Sequence, residues 1–140
     1  MIESITAKEN KKIKLISSLS AKKGRIKNNA YLVEGKRMVL EAFEYVRDAI
    51  MFIIISENFS SENKDLVTSL DESGISVYTV SDKLFKESVD TMNPQGIAAA
   101  VSIKNLSVKK SELNDINKIL ILDGISEPGN LGTIIRTAEA

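Results

Sequence analysis

Neither cysteine nor histidine occurs among the 140 residues. Disulfides, thiol nucleophiles, thiolate zinc sites and every imidazole acid, base or ligand are thereby excluded. Tryptophan is also absent and aromatics make up only 5% of the chain. Its longest apolar run, Ala49 to Ile55, falls far short of the roughly 20 residues that span a bilayer. The N-terminus lacks the basic stretch and apolar core of a secretion signal, so a cytoplasmic address is expected. What is present is 43% hydrophobic and 27% charged residues at zero formal net charge, the composition of a soluble α/β protein. The length allows one core of ordinary size and part of another.

The zero net charge hides an uneven distribution. Residues 1–37 hold ten Lys and Arg against three Glu, a net of +7, which leaves −7 for the remainder. A solvated lysine-rich helix would account for this, and so would a surface that meets a polyanion. Ile13, Ile16 and Leu19 recur at three-residue spacing with lysines around them, which predicts an amphipathic helix with a basic outer face. Ala21 to Asn29 continues the basic run and reads as a loop. Lys11, Lys12, Lys22, Lys23, Arg25 and Lys27 are therefore candidate phosphate contacts, and Lys36 and Arg37 lie within reach of the same role.

From Tyr31 onward strands and helices alternate. Tyr31 to Glu34 reads as a strand, Gly35 as a turn, and Met38, Val39, Ala42, Phe43 and Val46 as a helical stripe. Ala49 to Ser56 reads as a strand buried on both faces, Ser60 to Leu70 as one capped helix ending near Gly74, and Ile75 to Val80 as a third strand. Ser81 or Asp82 caps a short helix, and the turn Thr91-Met-Asn-Pro-Gln-Gly96 leads into a fourth strand, Ile97 to Ile103. The order predicts an α/β sandwich over residues 1–103, its first thirty residues being the basic helix and loop. The polar stretch 104–116 is expected to be a linker, and 117–140 the start of a second domain.

That last stretch joins an apolar run (Ile119 to Leu122, expected as a strand), the turn Asp123-Gly-Ile-Ser-Glu-Pro-Gly-Asn130, and a helix with Leu131, Ile134, Ile135 and Ala138 on one side. Strand, glycine turn and helix N-terminus form a βα unit of the kind that binds anionic or adenosine-containing ligands. Asn130 is a favoured N-cap type where the helix is expected to begin. At 100° per residue Arg136 falls beside Gly132 and Thr133, away from the apolar side. The glycine spacing is not that of the dinucleotide fingerprint.

Leu122-Asp-Gly-Ile-Ser-Glu-Pro-Gly-Asn-Leu-Gly-Thr-Ile-Ile-Arg-Thr-Ala resembles the first motif of the SpoU class of RNA 2′-O-ribose methyltransferases, in the SPOUT superfamily. Tyr31-Leu-Val-Glu-Gly-Lys-Arg-Met-Val-Leu-Glu-Ala and Asn93-Pro-Gln-Gly-Ile resemble two stretches of that family's N-terminal substrate-binding domain. The resemblance implies an α/β/α sandwich like an RNA-binding fold of certain ribosomal proteins, followed by the first βα unit of a truncated trefoil-knot domain. It also implies transfer of a methyl group from S-adenosylmethionine to a ribose 2′-hydroxyl of structured RNA, ribosomal or transfer, with dimerisation through the knot. Arg136 and Asn130 are the catalytic residues it implies. Glu34, Gly35 and Asn93 are expected to be mainly structural. The cofactor pocket of the family comes mostly from later motifs, and no cap closes the last helix. The 140-residue chain is therefore expected to be an inactive piece of a longer methyltransferase that retains RNA binding. Two other readings stand beside it: a stand-alone RNA-binding module, and a nucleotide-binding βα domain, the latter opposed by the lack of a Walker lysine or an acidic ribose partner.

Overall fold

The apolar run near residue 50 owes its composition to its position at the middle of a sheet with helices on both faces. The computed structural model describes residues 2–104 and 116–140, and the chain forms two units, Met1–Lys104 and Asn105–Ala140. In the first unit the elements run β1 (Glu3–Ile5), α1 (Lys11–Ser18), α2 (Lys22–Asn28), β2 (Ala30–Glu34), α3 (Lys36–Tyr45), β3 (Ile50–Ser56), α4 (Glu57–Glu62), α5 (Lys64–Glu72), β4 (Val77–Val80), α6 (Asp82–Ser88) and β5 (Ile97–Ser102). The five strands order as β1-β4-β3-β5-β2. β4 pairs parallel with β1 and β3, whereas β5 pairs antiparallel with β3 and β2.

Alternation along the central strands divides the core into two layers. Ile53, Ile55, Ile97, Ala99 and Val101 pack with Val39, Phe59, Val67 and Leu70 from α3, α4 and α5. On the other face Phe52, Ile54, Ala98 and Ala100 pack with Ile13 and Ile16 of α1, Leu19, and Leu84 and Phe85 of α6. Strands covered on both faces read as unbroken apolar runs, and β3 and β5 do. The exception is Met51: pairing passes from Ile50–Val101 to Phe52–Ala100, so a bulge turns Met51 out to solvent. The α/β/α sandwich expected from the sequence is the observed fold.

Local structure departs from expectation at several points. The basic stretch after Ala21 is a helix, α2, not a loop, closed by Asn29 in the left-handed conformation at φ 47°. The single helix expected over 60–70 is two, α4 and α5, because Asn63 leaves the helical region and its amide donates to the Phe59 carbonyl at 3.1 Å. β1 carries no sequence signal of its own: three residues form it, and their partners lie on β4. In the second unit Ile119 to Leu122 forms no strand and is 38% to 84% exposed. A strand exists only through hydrogen bonds to a neighbour, and none pairs with this run among the described residues. The expected linker lies, from 105 to 115, outside the described residues.

The second unit contributes α7 (Pro128–Glu139). Glu127 is its N-cap residue and Pro128 occupies the first helical position, where a missing N–H costs nothing. Asn130 therefore stands inside the first turn rather than at the cap. Among the described residues no helix is long and apolar enough to cross a membrane.

Candidate nucleic-acid interface

The basic N-terminal stretch folds back on itself as two short helices. Gly24 makes this possible: a Cβ there would sit 1.8 Å from the Ser18 carbonyl oxygen, so α2 meets the end of α1 with no room for a side chain. The Arg25 guanidinium donates to the carbonyls of Leu19, at 2.9 Å, and Ser20, satisfying acceptors that the end of α1 leaves open. Between the helices lies an open groove of about 500 Å³, with Lys11, Lys14, Lys23 and Lys27 around it and Leu15 and Gly24 in its lining. Its four ammonium groups, with no carboxylate among the lining residues, suit a phosphate backbone.

The structure sorts the other basic candidates. Lys22 is exposed on α2 outside the groove lining. Lys12 lies over the Tyr78 ring, 4.4 Å from its centroid, and Arg25 is committed to the end of α1. Lys36 Nζ donates to Asn63 Oδ1 at 2.7 Å, and Arg37 pairs with Glu41 one turn along α3 at 2.9 Å. Lys14, not among the basic candidates above, also lines the groove, and its spacing from Lys11 places both on one side of α1.

A second cluster forms where β2 runs into α3. The pairing of β2 with β5 sets Glu34 opposite Ala98 and brings the turn before β5 against Gly35. Gly35 N–H donates to the Ile97 carbonyl at 3.0 Å, Lys36 N–H to Gln95 Oε1 at 2.9 Å, and Thr91 Oγ1 to Glu34 Oε2 at 2.8 Å. Thus the Glu-Gly-Lys-Arg and Asn-Pro-Gln-Gly stretches, distant in sequence, form one junction. The role of Gln95 depends on this pairing and has no local signal in the sequence.

In the second unit, Arg136 folds back along α7. Its Nη2 donates to Thr133 Oγ1 at 3.3 Å, and its Nη1 would lie 3.4 Å from a Cβ on Gly132. A glycine one turn earlier thus gives the guanidinium a bare patch of backbone to cross. Thr133 and Thr137 spend their hydroxyl protons on Gly129 and Thr133 carbonyls, each at 2.9 Å.

Residues 10–99, spanning α1 to the first half of β5, match the MRM3-like substrate binding domain. The chain belongs to that family. Over 139 residues the MRM3-like chain is 33% identical to the 23S rRNA (guanosine(2553)-2′-O)-methyltransferase RlmP of Bacillus subtilis, covering 99% of this chain and 51% of the relative. It is 30% identical over 118 residues to human mitochondrial rRNA methyltransferase 3, covering 81% of this chain and 27% of that protein. The chain thus spans about half the length, or less, of these curated relatives. Among solved structures, an RNA 2′-O ribose methyltransferase shares the fold at TM-score 0.59 and 22% identity, over 97% of this chain and 51% of that one. An AdoMet-bound rRNA methyltransferase from Sinorhizobium meliloti shares it at TM-score 0.55 and 20% identity, over 74% and 37%.

Proposed function

We propose that the first unit of this MRM3-like chain holds the RNA substrate of a methyltransferase that transfers a methyl group from S-adenosylmethionine to a ribose 2′-hydroxyl. The observation that carries the reading is the lysine groove between α1 and α2, within the residues that match a substrate-binding family. The 23S rRNA in the Bacillus relative's name supports ribosomal RNA as the substrate class and a cytoplasmic address. On this reading phosphates lie along Lys11, Lys14, Lys23 and Lys27 and give affinity without reading sequence. Arg136 is assigned to the reacting ribose. A guanidinium stays protonated, so it cannot act as a base; it orients the hydroxyl or an adjacent phosphate and stabilises negative charge as the proton leaves. Asn130, in the first turn of the same helix, shapes that site.

Among the described residues of the second unit, the side chains do not fit a cofactor. The open hollow on the second unit is lined by Leu120, Thr133, Ile134, Thr137 and Ala138, and its two hydroxyl protons are already spent within α7. It offers no carboxylate for a ribose and no amide for an adenine edge.

The test is salt-dependent RNA binding by the 140-residue chain. Replacing Lys11, Lys14, Lys23 and Lys27 by Gln together should flatten the log K against log salt plot by about 0.7 per lost contact on single-stranded RNA. Arg25→Ala should lower stability and leave that slope alone. An unchanged slope in the quadruple variant would refute the groove as the RNA site.

A further inference from the structure

The turn between α6 and β5 is fastened on both sides of an exposed tip. Thr91 is held by Glu34, and the Gln95 carbonyl is held by the Lys36 N–H. The Gly96 carbonyl accepts the Ser56 N–H at 2.8 Å. Gly96 has φ 80°, and a Cβ there would meet Ser56 Oγ at 2.7 Å and Phe59 Cβ at 2.9 Å, so the backbone is pressed onto the start of α4. Between these points Met92 is 85% exposed, and among the described residues the Asn93 side chain makes no hydrogen bond. A single exposed apolar side chain is ordinary. Here a thioether and an unpartnered amide stand side by side on a fastened turn, at the rim of a hollow.

The hollow measures about 400 Å³, within the ~300–1,000 Å³ range of small-ligand clefts. Phe59 and Phe85 floor it, Met92 and Asn93 stand at one side, Glu62 and Asp82 add carboxylates, and Lys86 adds one ammonium group. Asp82 Oδ1 accepts the Asn58 N–H at 3.2 Å, which leaves its second oxygen free to accept. Two carboxylates against one ammonium disfavour a phosphate. They suit instead a flat apolar ring whose edge carries N–H donors.

We propose that this hollow receives one unstacked RNA base bearing an exocyclic amino group, stacked against Met92 and read by Asn93 and the two carboxylates; the proposal rests on the RNA-binding reading above. Adenine, cytosine and guanine qualify. Uracil flanks its one N–H with two carbonyl oxygens, which the carboxylates oppose. Recognition of splayed-out bases by stacking and edge hydrogen bonds is the usual way proteins read single-stranded RNA. The lysine groove would then supply affinity, and this hollow a preference among bases.

The experiment is NMR titration of the 140-residue chain, labelled at methionine methyls and amide nitrogens, with single-stranded hexamers of A, C or U. The Met92 methyl and the Asn93 side-chain amide should move with the A and C hexamers and stay nearly still with U. The Met92→Ala, Asn93→Ala double variant should bind the A hexamer about fivefold or more weakly, with U binding unchanged. Shifts at Lys11, Lys23 and Lys27 without shifts at Met92 and Asn93 would overturn this proposal and leave the RNA-binding reading standing. Equal shifts with U would overturn the amino-group preference. No shifts at either place would overturn both.

Discussion

The side-chain carbonyl of Gln95 accepts the backbone N–H of Lys36 at 2.9 Å, across 59 positions of sequence. α3 starts from Gly35, whose φ of 92° excludes most side chains and which has none to cap the first turn. The acceptor comes from the turn before β5 instead. Gln95→Ala should therefore lower stability by about 1 kcal/mol, as loss of a cap does, while Gln95→Glu keeps an acceptor and most of that stability. Urea denaturation of the three proteins measures it; identical midpoints would mean that the contact contributes nothing.

Gly24→Ala reverses the usual sign of a helix substitution. Alanine in an exposed helix interior normally gains roughly 1 kcal/mol over glycine. Here the added carbon would lie 1.8 Å from a backbone carbonyl oxygen, which cannot rotate away. The helices must separate, at a cost of about 2 kcal/mol. Thermal unfolding should show the loss, and RNA binding should weaken with it, since the groove depends on the same approach.

Lys8 and Glu87 form an exposed ion pair at 3.0 Å that ties the segment before α1 to α6. The Lys8 hydrogen bond and charge hold the Glu87 carboxyl below its ordinary range, with Lys83 adding to the effect. A lowered native pKa means that the pair's contribution is complete above the ordinary carboxylate range and disappears as the pH falls through the native value. The stability difference between the parent and Lys8→Gln should thus be present at neutral pH, vanish in acid and shrink in high salt. A difference that persists in acid would rule the pair out as its source.

Calorimetric titration of the chain with S-adenosylmethionine should give no binding heat at micromolar concentrations. Leu120, Ile134 and Ala138 offer the cofactor an apolar wall and no polar partners. Saturable micromolar heat would show that 117–140 builds more of a pocket than its described residues display.

Much of this architecture is legible in the chain because burial dictates composition. β3 and β5 are almost wholly apolar since both their faces are covered apart from the bulge at Met51, and Ile13, Ile16 and Leu19 announce the inward side of α1. Ser81 caps α6 as its type predicts, its hydroxyl accepting the Leu84 N–H at 3.2 Å. Features that depend on distant contacts were not legible. α2 contains a glycine and no side-chain cap, so nothing local distinguishes it from a loop until Arg25 reaches the end of α1. Asn63 divides α4 from α5 by a backbone choice that periodicity does not register. The Ile119 to Leu122 run correctly advertises a wish for burial, yet a strand also needs a neighbour. Of the basic candidates, composition could not separate Lys23 and Lys27, at the groove, from Lys12 and Arg25, engaged within the protein.

β5 is the last strand of the sheet to be synthesised, yet it lies between β3 and β2. Ala30 waits for Ser102 and Glu34 for Ala98, so β2 has no partner until almost the whole unit has left the ribosome. Local helices can form earlier, but the sheet closes in one late step that joins both core layers. A nascent chain halted before Ile97 would leave one edge of β3 unpaired and β2 without a neighbour, so the sheet stays incomplete until these six residues emerge.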